Sequence, residues 1–289
     1  MLQLLIAGLT VGSEYGLIAL GIHIILRATR VVSFAQGEFA IVGGLIAFSA
    51  VDSLHVSVWL GLVAATLAGF VLGIAFERLV LRPAGRGGET GATIATIGAV
   101  FVLLYGHALV PGWGSEPHSP RAFPGGTIVM GETVLSSDAI WVFALLLLAL
   151  GALYLFFERT YYGKAIRAAA DNPLGARLIG IDVRSTRAVS VGLAIALAAY
   201  AGTIIGPITL VGGAAGFTLT IKGFVAAILG GLESPVGCVA GGLVVGVLEA
   251  FVTVRFGNDV AEPIVYALLL LMLLLRPQGL FGRREAVRD

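Results

Sequence analysis

In a chain this apolar the side chains that could do polar chemistry are few: Glu14, Ser33, Gln36, Glu38 and Glu249. Each lies within or beside a long uncharged run. An ionised carboxylate at a bilayer centre costs about 2.5 kcal/mol on insertion scales and more than about 10 by simulation, so its presence needs a reason. Glu14, in Gly12-Ser13-Glu14-Tyr15-Gly16, stands in the middle of the first run. It is either a cavity-facing group that meets a polar substrate or gates its path, or a protonated or hydrogen-bonded packing residue. Glu38, in Ser33-Phe34-Ala35-Gln36-Gly37-Glu38-Phe39, falls within the first two turns of its helix, where an interfacial carboxylate also suits the helix start. Glu14, Ser33, Gln36 and Glu38 form the candidate substrate pathway. Glu249 reads as a pairing or capping group inside the bundle, and Asp259 as a solvated loop residue.

Other chemistries lack their residues. A phosphate-binding loop needs G-x-x-x-x-G-K-[ST], but Gly163-Lys164 is followed by Ala165, with Glu158 in place of the first glycine. His23, His55, His107 and His118 form no H-x-x-x-H pair, and the lone Cys238 supports neither a cysteine-based zinc cage nor an internal disulfide. No Gly-x-Ser-x-Gly elbow occurs. The expectation is a protein that is not an enzyme, with no catalytic residues, no metal site and no cofactor of its own.

The elements that must position these groups follow from composition. Of 289 residues 58% are apolar and 12% charged, about half the charged share of soluble domains, and the mean hydropathy is +0.99. The fold class is therefore all-α, a polytopic membrane bundle. A net charge of +1 gives no long-range field for nucleic acid. A span needs about 20 apolar residues. Charge-poor runs place spans near 4–26, 31–51, 56–76, 91–110, 139–157, 188–211, 236–254 and 263–275, with a short piece at 224–232 that either crosses or re-enters. No basic residue precedes Arg27, which argues against a cleaved signal peptide. Pairs such as Gly8/Gly12, Gly12/Gly16, Gly69/Gly73 and Gly242/Gly246 have the small-xxx-small spacing of close helix contacts. Gly206-Pro207 and Gly212-Gly213-Ala214-Ala215-Gly216 mark where helices bend, unwind or end.

Short loops rich in Lys and Arg stay cytoplasmic. Arg27 and Arg30, then Arg78, Arg82 and Arg86, then Arg159, Lys164, Arg167, Arg177, Arg184 and Arg187, and the tail's Arg276, Arg283, Arg284 and Arg288 alternate with poorer loops. This predicts an outside N-terminus and a cytoplasmic C-terminus, with about eight full spans plus one short segment, 223–235 crossing at least in part. One transmembrane domain then fills 1–289, with an outer loop at 111–138 and a cytoplasmic loop at 158–187. The outer loop holds a β-leaning stretch at 127–134. In the cytoplasmic loop Tyr162–Ala170 reads as a helix broken at Asn172-Pro173, with a second short helix from Pro173 to about Ile179, ended by Gly180. Leu174, Leu178 and Ile181 share a face there, as in a surface helix that offers apolar residues to a partner.

Several blocks carry a resemblance. They are Gly8-Leu9-Thr10-Val11-Gly12-Ser13, Ser33 through Phe39, Lys164-Ala165-Ile166-Arg167-Ala168-Ala169-Ala170-Asp171-Asn172-Pro173, Ala226 through Gly231, and Arg276-Pro277-Gln278-Gly279-Leu280-Phe281-Gly282. In this order, over essentially the full chain, the sequence resembles the permease subunits of branched-chain amino acid ABC importers, the LivH type. Gln36-Gly37-Glu38 replaces that family's usual His-Gly-Glu, and Glu14 falls where apolar or aromatic residues are commoner. The resemblance implies transport of hydrophobic amino acids across a bacterial inner membrane; urea, short-amide and other hydrophobic amino acid permeases belong to the same family. A stand-alone channel or secondary transporter, with Glu14 as its ion or proton site, is the competing class. The implied partners are a second permease, forming a heterodimer, two cytoplasmic ATPases that use ATP, and an extracytoplasmic substrate-binding protein, all in membrane lipid. Lys164, Arg167, Asp171, Asn172, Pro173, Leu174, Arg177 and Leu178 would then form the segment that couples to an ATPase.

Overall fold

The computed structural model describes residues 1–114, 116–130, 133–209, 211–212, 215–275 and 279–281. The tail arginines Arg276, Arg283, Arg284 and Arg288, together with Pro277, Gln278, Gly213 and Ala214, lie outside the described residues. Helices α1 (Leu2–Thr29) and α2 (Gln36–Asp52) precede α3 (Val58–Phe76). From α3 the chain passes through a π turn at Glu77–Leu81, the short α4 (Arg82–Ala84) and a 3-10 turn into α5 (Gly88–Ala108). Gly88, at φ +83, helps reverse the path, and Gly91 then packs near the Ala84 carbonyl. Strands β1 (Thr127–Met130) and β2 (Thr133–Ser136) pair antiparallel, Thr127 opposite Ser136, where the β-leaning stretch was expected. The rest is helical: α6 (Ser137–Arg159), α7 (Tyr161–Asp171), α8 (Pro173–Leu178), α9 (Val183–Thr209), α10 (Ala215–Gly230), α11 (Pro235–Phe256) and α12 (Asn258–Leu275).

Polar caps set where these helices begin. Ser57, Thr160, Asn172 and Ser234 each accept a hydrogen bond from a backbone amide in the first turn, a contact worth about 1 kcal/mol. Helix α9 is buried on all sides and α1 along most of its length, so their all-round apolar faces belong to the bundle interior. By contrast α3, α5 and α6 turn Leu67, Val102 and Leu147 outward, as lipid-facing helices do. Glycines bring α1 and α11 into backbone contact. A methyl on Gly12 would lie 2.8 Å from the Gly242 carbonyl oxygen and 2.9 Å from the Leu243 Cα, and one on Gly8 would lie 2.7 Å from the Val247 Cα. In the same way a methyl on Gly73 would come within 2.7 Å of the Gly192 Cα, locking α3 to α9.

The polytopic helical membrane bundle is thus present, with three departures from the expected spans. Among the described residues, five helical stretches are long and apolar enough to cross a membrane, and one of them, Val58–Ala108, contains two expected spans. The second helix starts at Gln36 instead of Val31, because 31–35 is irregular; its 17 residues rise only about 26 Å. The short piece placed at 224–232 is a helix from Ala215 to Gly230, so Lys222 lies inside it, and Gly231–Ser234 form the turn into α11. Asp259 falls in the first turn of α12 and not in a loop. Pro207 is accommodated in the last turn of α9, and the break follows Thr209.

Candidate functional site

The candidate pathway residues lie at two places. The first is the junction where α2 and α10 begin. Helix α1 ends at Arg30, whose left-handed φ of +58 turns the chain back into the bundle. Val31, Ser33 and Ala35 are buried, and irregular backbone at that depth needs internal partners. The Phe34 amide donates to Thr96 Oγ1 at 3.2 Å, and the Gly37 amide donates to Thr220 Oγ1 at 2.8 Å. Gln36 Nε2 donates to the Ala194 carbonyl in α9 at 2.7 Å.

Glu38 is fully buried, and its carboxyl rests on Gly216 in the first turn of α10, where a methyl would stand only 2.5–2.7 Å from the carboxyl atoms. The amides of that helix start face the carboxyl. Ser33 Oγ and Gln36 Oε1 have no hydrogen-bond partner, and Glu38, whose carboxyl lies by the Phe217 amide, makes no well-formed one. Buried acceptors left open are rare in folded proteins. They can receive hydrogen bonds from a polar or cationic solute, and they mark where the bundle carries polar chemistry that its own packing does not use.

The second place holds Glu14, which the structure does not join to Ser33, Gln36 and Glu38. Glu14 is buried beside Lys222 and Glu249. Lys222 Nζ donates to Glu249 Oε1 at 2.7 Å, stands 3.4 Å from Glu262 Oε1, and lies 5.8 Å from the centre of the Tyr15 ring. The Tyr15 hydroxyl donates to Glu249 Oε2 at 2.8 Å. Helices α1, α10, α11 and α12 are therefore tied by one ionic cluster, and Glu249 pairs within the bundle as expected. Glu249 also lines a groove of about 550 Å³ between α1 and α11.

Lys222, Thr220 and Thr96 escaped sequence reasoning. The single signal for Lys222 was an isolated cation in a charge-free stretch, and a helix assumed to begin at Phe224 excluded it. Thr96 and Thr220 carry no motif at all.

The residues of the 158–187 loop divide by what their side chains touch. Thr160 caps α7, Asn172 Oδ1 accepts from the Gly175 amide at 2.9 Å, and Pro173 occupies the first turn of α8. Gly180, at φ +85, ends that helix, with the Ile181 amide donating to the Ala176 carbonyl at 2.9 Å. Arg167 is bonded to Glu158, and Asp171 receives Arg27 Nη2 at 2.9 Å. Lys164, Leu174, Arg177 and Leu178 are exposed.

Comparison with known proteins shows the family. The family described as branched-chain amino acid transport system / permease component matches residues 4–275. The chain is 35% identical to the high-affinity branched-chain amino acid transport system permease protein BraD of Pseudomonas aeruginosa, over 98% of this chain and 96% of that protein. It is 30% identical to the LivH permease protein of the corresponding Escherichia coli system, over the same shares of the two chains. A chain of PsaBC from Streptococcus pneumoniae, solved in complex with Fab, shares the fold with a TM-score of 0.51 and 14% identity, over 96% of this chain and 92% of that one. Matched along nearly its whole length, this chain belongs to the permease component family of branched-chain amino acid transport systems.

Proposed function

We propose that this chain is a permease subunit of an ABC importer that moves branched-chain amino acids across the bacterial inner membrane. It pairs with a second permease, receives substrate from an extracytoplasmic binding protein and is driven by two cytoplasmic ATPases. Its N-terminus faces outside and its C-terminus the cytoplasm.

The observation that carries this reading is the surface of α8. Leu174, Leu178 and Ile179 are 72%, 85% and 74% exposed, on a short helix amid basic residues and fixed at both ends by a cap and a left-handed glycine. Apolar side chains held out in this way suit a groove on a partner protein. Lys164 and Arg177 flank the contact, while Arg167, Asp171, Asn172 and Pro173 hold its shape. Closure of the ATPases on ATP pushes α7 and α8, and α9 follows as a rigid body because its other faces are locked to α1, α2 and α3. The path then alternates between outward and inward openings. Ser33, Gln36 and Glu38 offer acceptors to the substrate's ammonium group, and Glu14 stands on the second polar cluster beside that path.

Changing Leu174 and Leu178 together to glutamate tests the assignment. The variant should insert and fold normally yet fail to co-purify with the ATPases and fail to take up labelled leucine. Normal ATPase binding by that variant would remove the coupling role, and leucine uptake by the purified chain alone in liposomes would replace the importer with a self-sufficient transporter.

A further inference from the structure

Glu77, at the end of α3, is a buried carboxylate, its side chain only 1% exposed, and it lies between two arginines from different elements. Arg82 holds it by two hydrogen bonds, Nη2 to Oε2 at 2.9 Å and Nε to Oε1 at 3.3 Å. The π turn permits this, because its i to i+5 bonding lifts position 82 over position 77. Arg187, near the start of α9, approaches from the other side, with its Nη2 end toward the 3-10 turn at Gly85. Its Nε is 3.8 Å from Glu77 Oε1 and, although buried, has no hydrogen-bond partner. That distance is roughly 0.6 Å beyond the usual limit of about 3.2 Å.

One carboxylate is thus shared unequally, with one arginine bonded and the other, its side chain 29% exposed, holding a buried Nε just short of a bond. A buried donor left open is unfavourable. A second arrangement lies close by, with Arg187 on Glu77 and Arg82, already 43% exposed, turned to water. Arg187 lies in the second turn of α9, which follows α8 after the short 179–182 connection, so a displacement of α8 has a direct covalent route to it.

We infer that Glu77 is the pivot through which movement of α8 is passed to α3, by exchange of Arg82 for Arg187 on its carboxylate. Glu77 and Arg187 are positioning residues in this role. The inference rests on the importer reading above. Two packed states that differ by such an exchange give a discrete switch and not a gradual bend.

The test uses the whole transporter, with both permeases, the ATPases and the binding protein, reconstituted in liposomes; leucine uptake is measured per ATP hydrolysed. Arg187→Gln should lower that ratio about 10-fold while assembly and ATP hydrolysis persist. Arg82→Gln should leave it at or above the wild-type value. A purely structural role ranks the two the other way, because Arg82 makes the better bonds. The Glu77→Gln/Arg187→Gln double variant should fall no lower than either single one, since each removes the same contact. Wild-type coupling in Arg187→Gln, or greater damage from Arg82→Gln, overturns the inference. If Arg187→Gln does not assemble, Arg187→Lys keeps the charge without the guanidinium fork and should lose roughly 2- to 3-fold; an unchanged ratio there is equally fatal. A wild-type complex that recruits no ATPase counts against the importer reading instead.

Discussion

Lys222 shows how a single side chain can hold four helices. Its ammonium bonds Glu249, approaches Glu262 and lies near the Tyr15 ring, so it compensates carboxylates that the apolar surroundings would otherwise oppose. Removing one member of such a pair leaves a buried charge. Lys222→Met should therefore destabilise the detergent-purified protein by about 3 to 5 kcal/mol, while Lys222→Met with Glu249→Leu should recover most of that loss. Thermal unfolding of the three proteins checks this, and equal damage in single and double variants would show that packing, not charge, dominates the site. The acidic partner was legible in the sequence as a carboxylate needing company. The company was not, because the Lys222–Glu249 contact joins residues on separate helices and no local pattern encodes it.

The short helices α2 and α10 explain why open acceptors exist at all. Both start inside the bundle, and α10 rises only about 24 Å against a hydrocarbon core of about 30 Å. Their first turns meet around Glu38, Gly216 and Thr220, where backbone amides and carboxyl groups are brought together away from water. Small residues allow this approach and the tight α1–α11 seam. Gly12→Ala should cost about 1 to 3 kcal/mol through overpacking against Gly242 and Leu243, and lower the yield of folded protein. Gly98→Ala on α5, with no atom within 4 Å of the added methyl, is the matched control and should be neutral or slightly stabilising. Helix caps and breaks in the loop from Thr160 to Gly180 could be read from sequence because they depend on adjacent residues. The start of α2 could not, since the apolar run through 31–35 is equally compatible with helix and with buried irregular chain.

Across the molecule, contacts sort the loops into two groups at opposite ends. His118 pairs with Val211, Trp113 donates to Ser49 Oγ, and Trp59, Phe123 and Trp141 pack in edge-on and tilted contacts at one end. Arg27 with Asp171, Glu77 with Arg82 and Arg187, and the Leu280 and Phe281 amides on the Leu229 and Gly230 carbonyls mark the other. The basic loops share the second end, so a reporter fused after Ser234 should read cytoplasmic and one after Gly112 should read external. A reporter after Ser234 on the outside would invert or break the proposed topology. The sequence by itself determined that this chain is a helical membrane protein, and where a short capped helix breaks its longest basic loop. Those properties follow from composition, charge spacing and neighbouring residues. Only the tertiary structure decided that Glu14 belongs with Lys222, that Glu38 faces the start of α10, and that Glu77 stands between two arginines. Each of these depends on helices distant in sequence packing at backbone contact, and the bilayer's penalty on unpaired charge then leaves few places where such groups can meet.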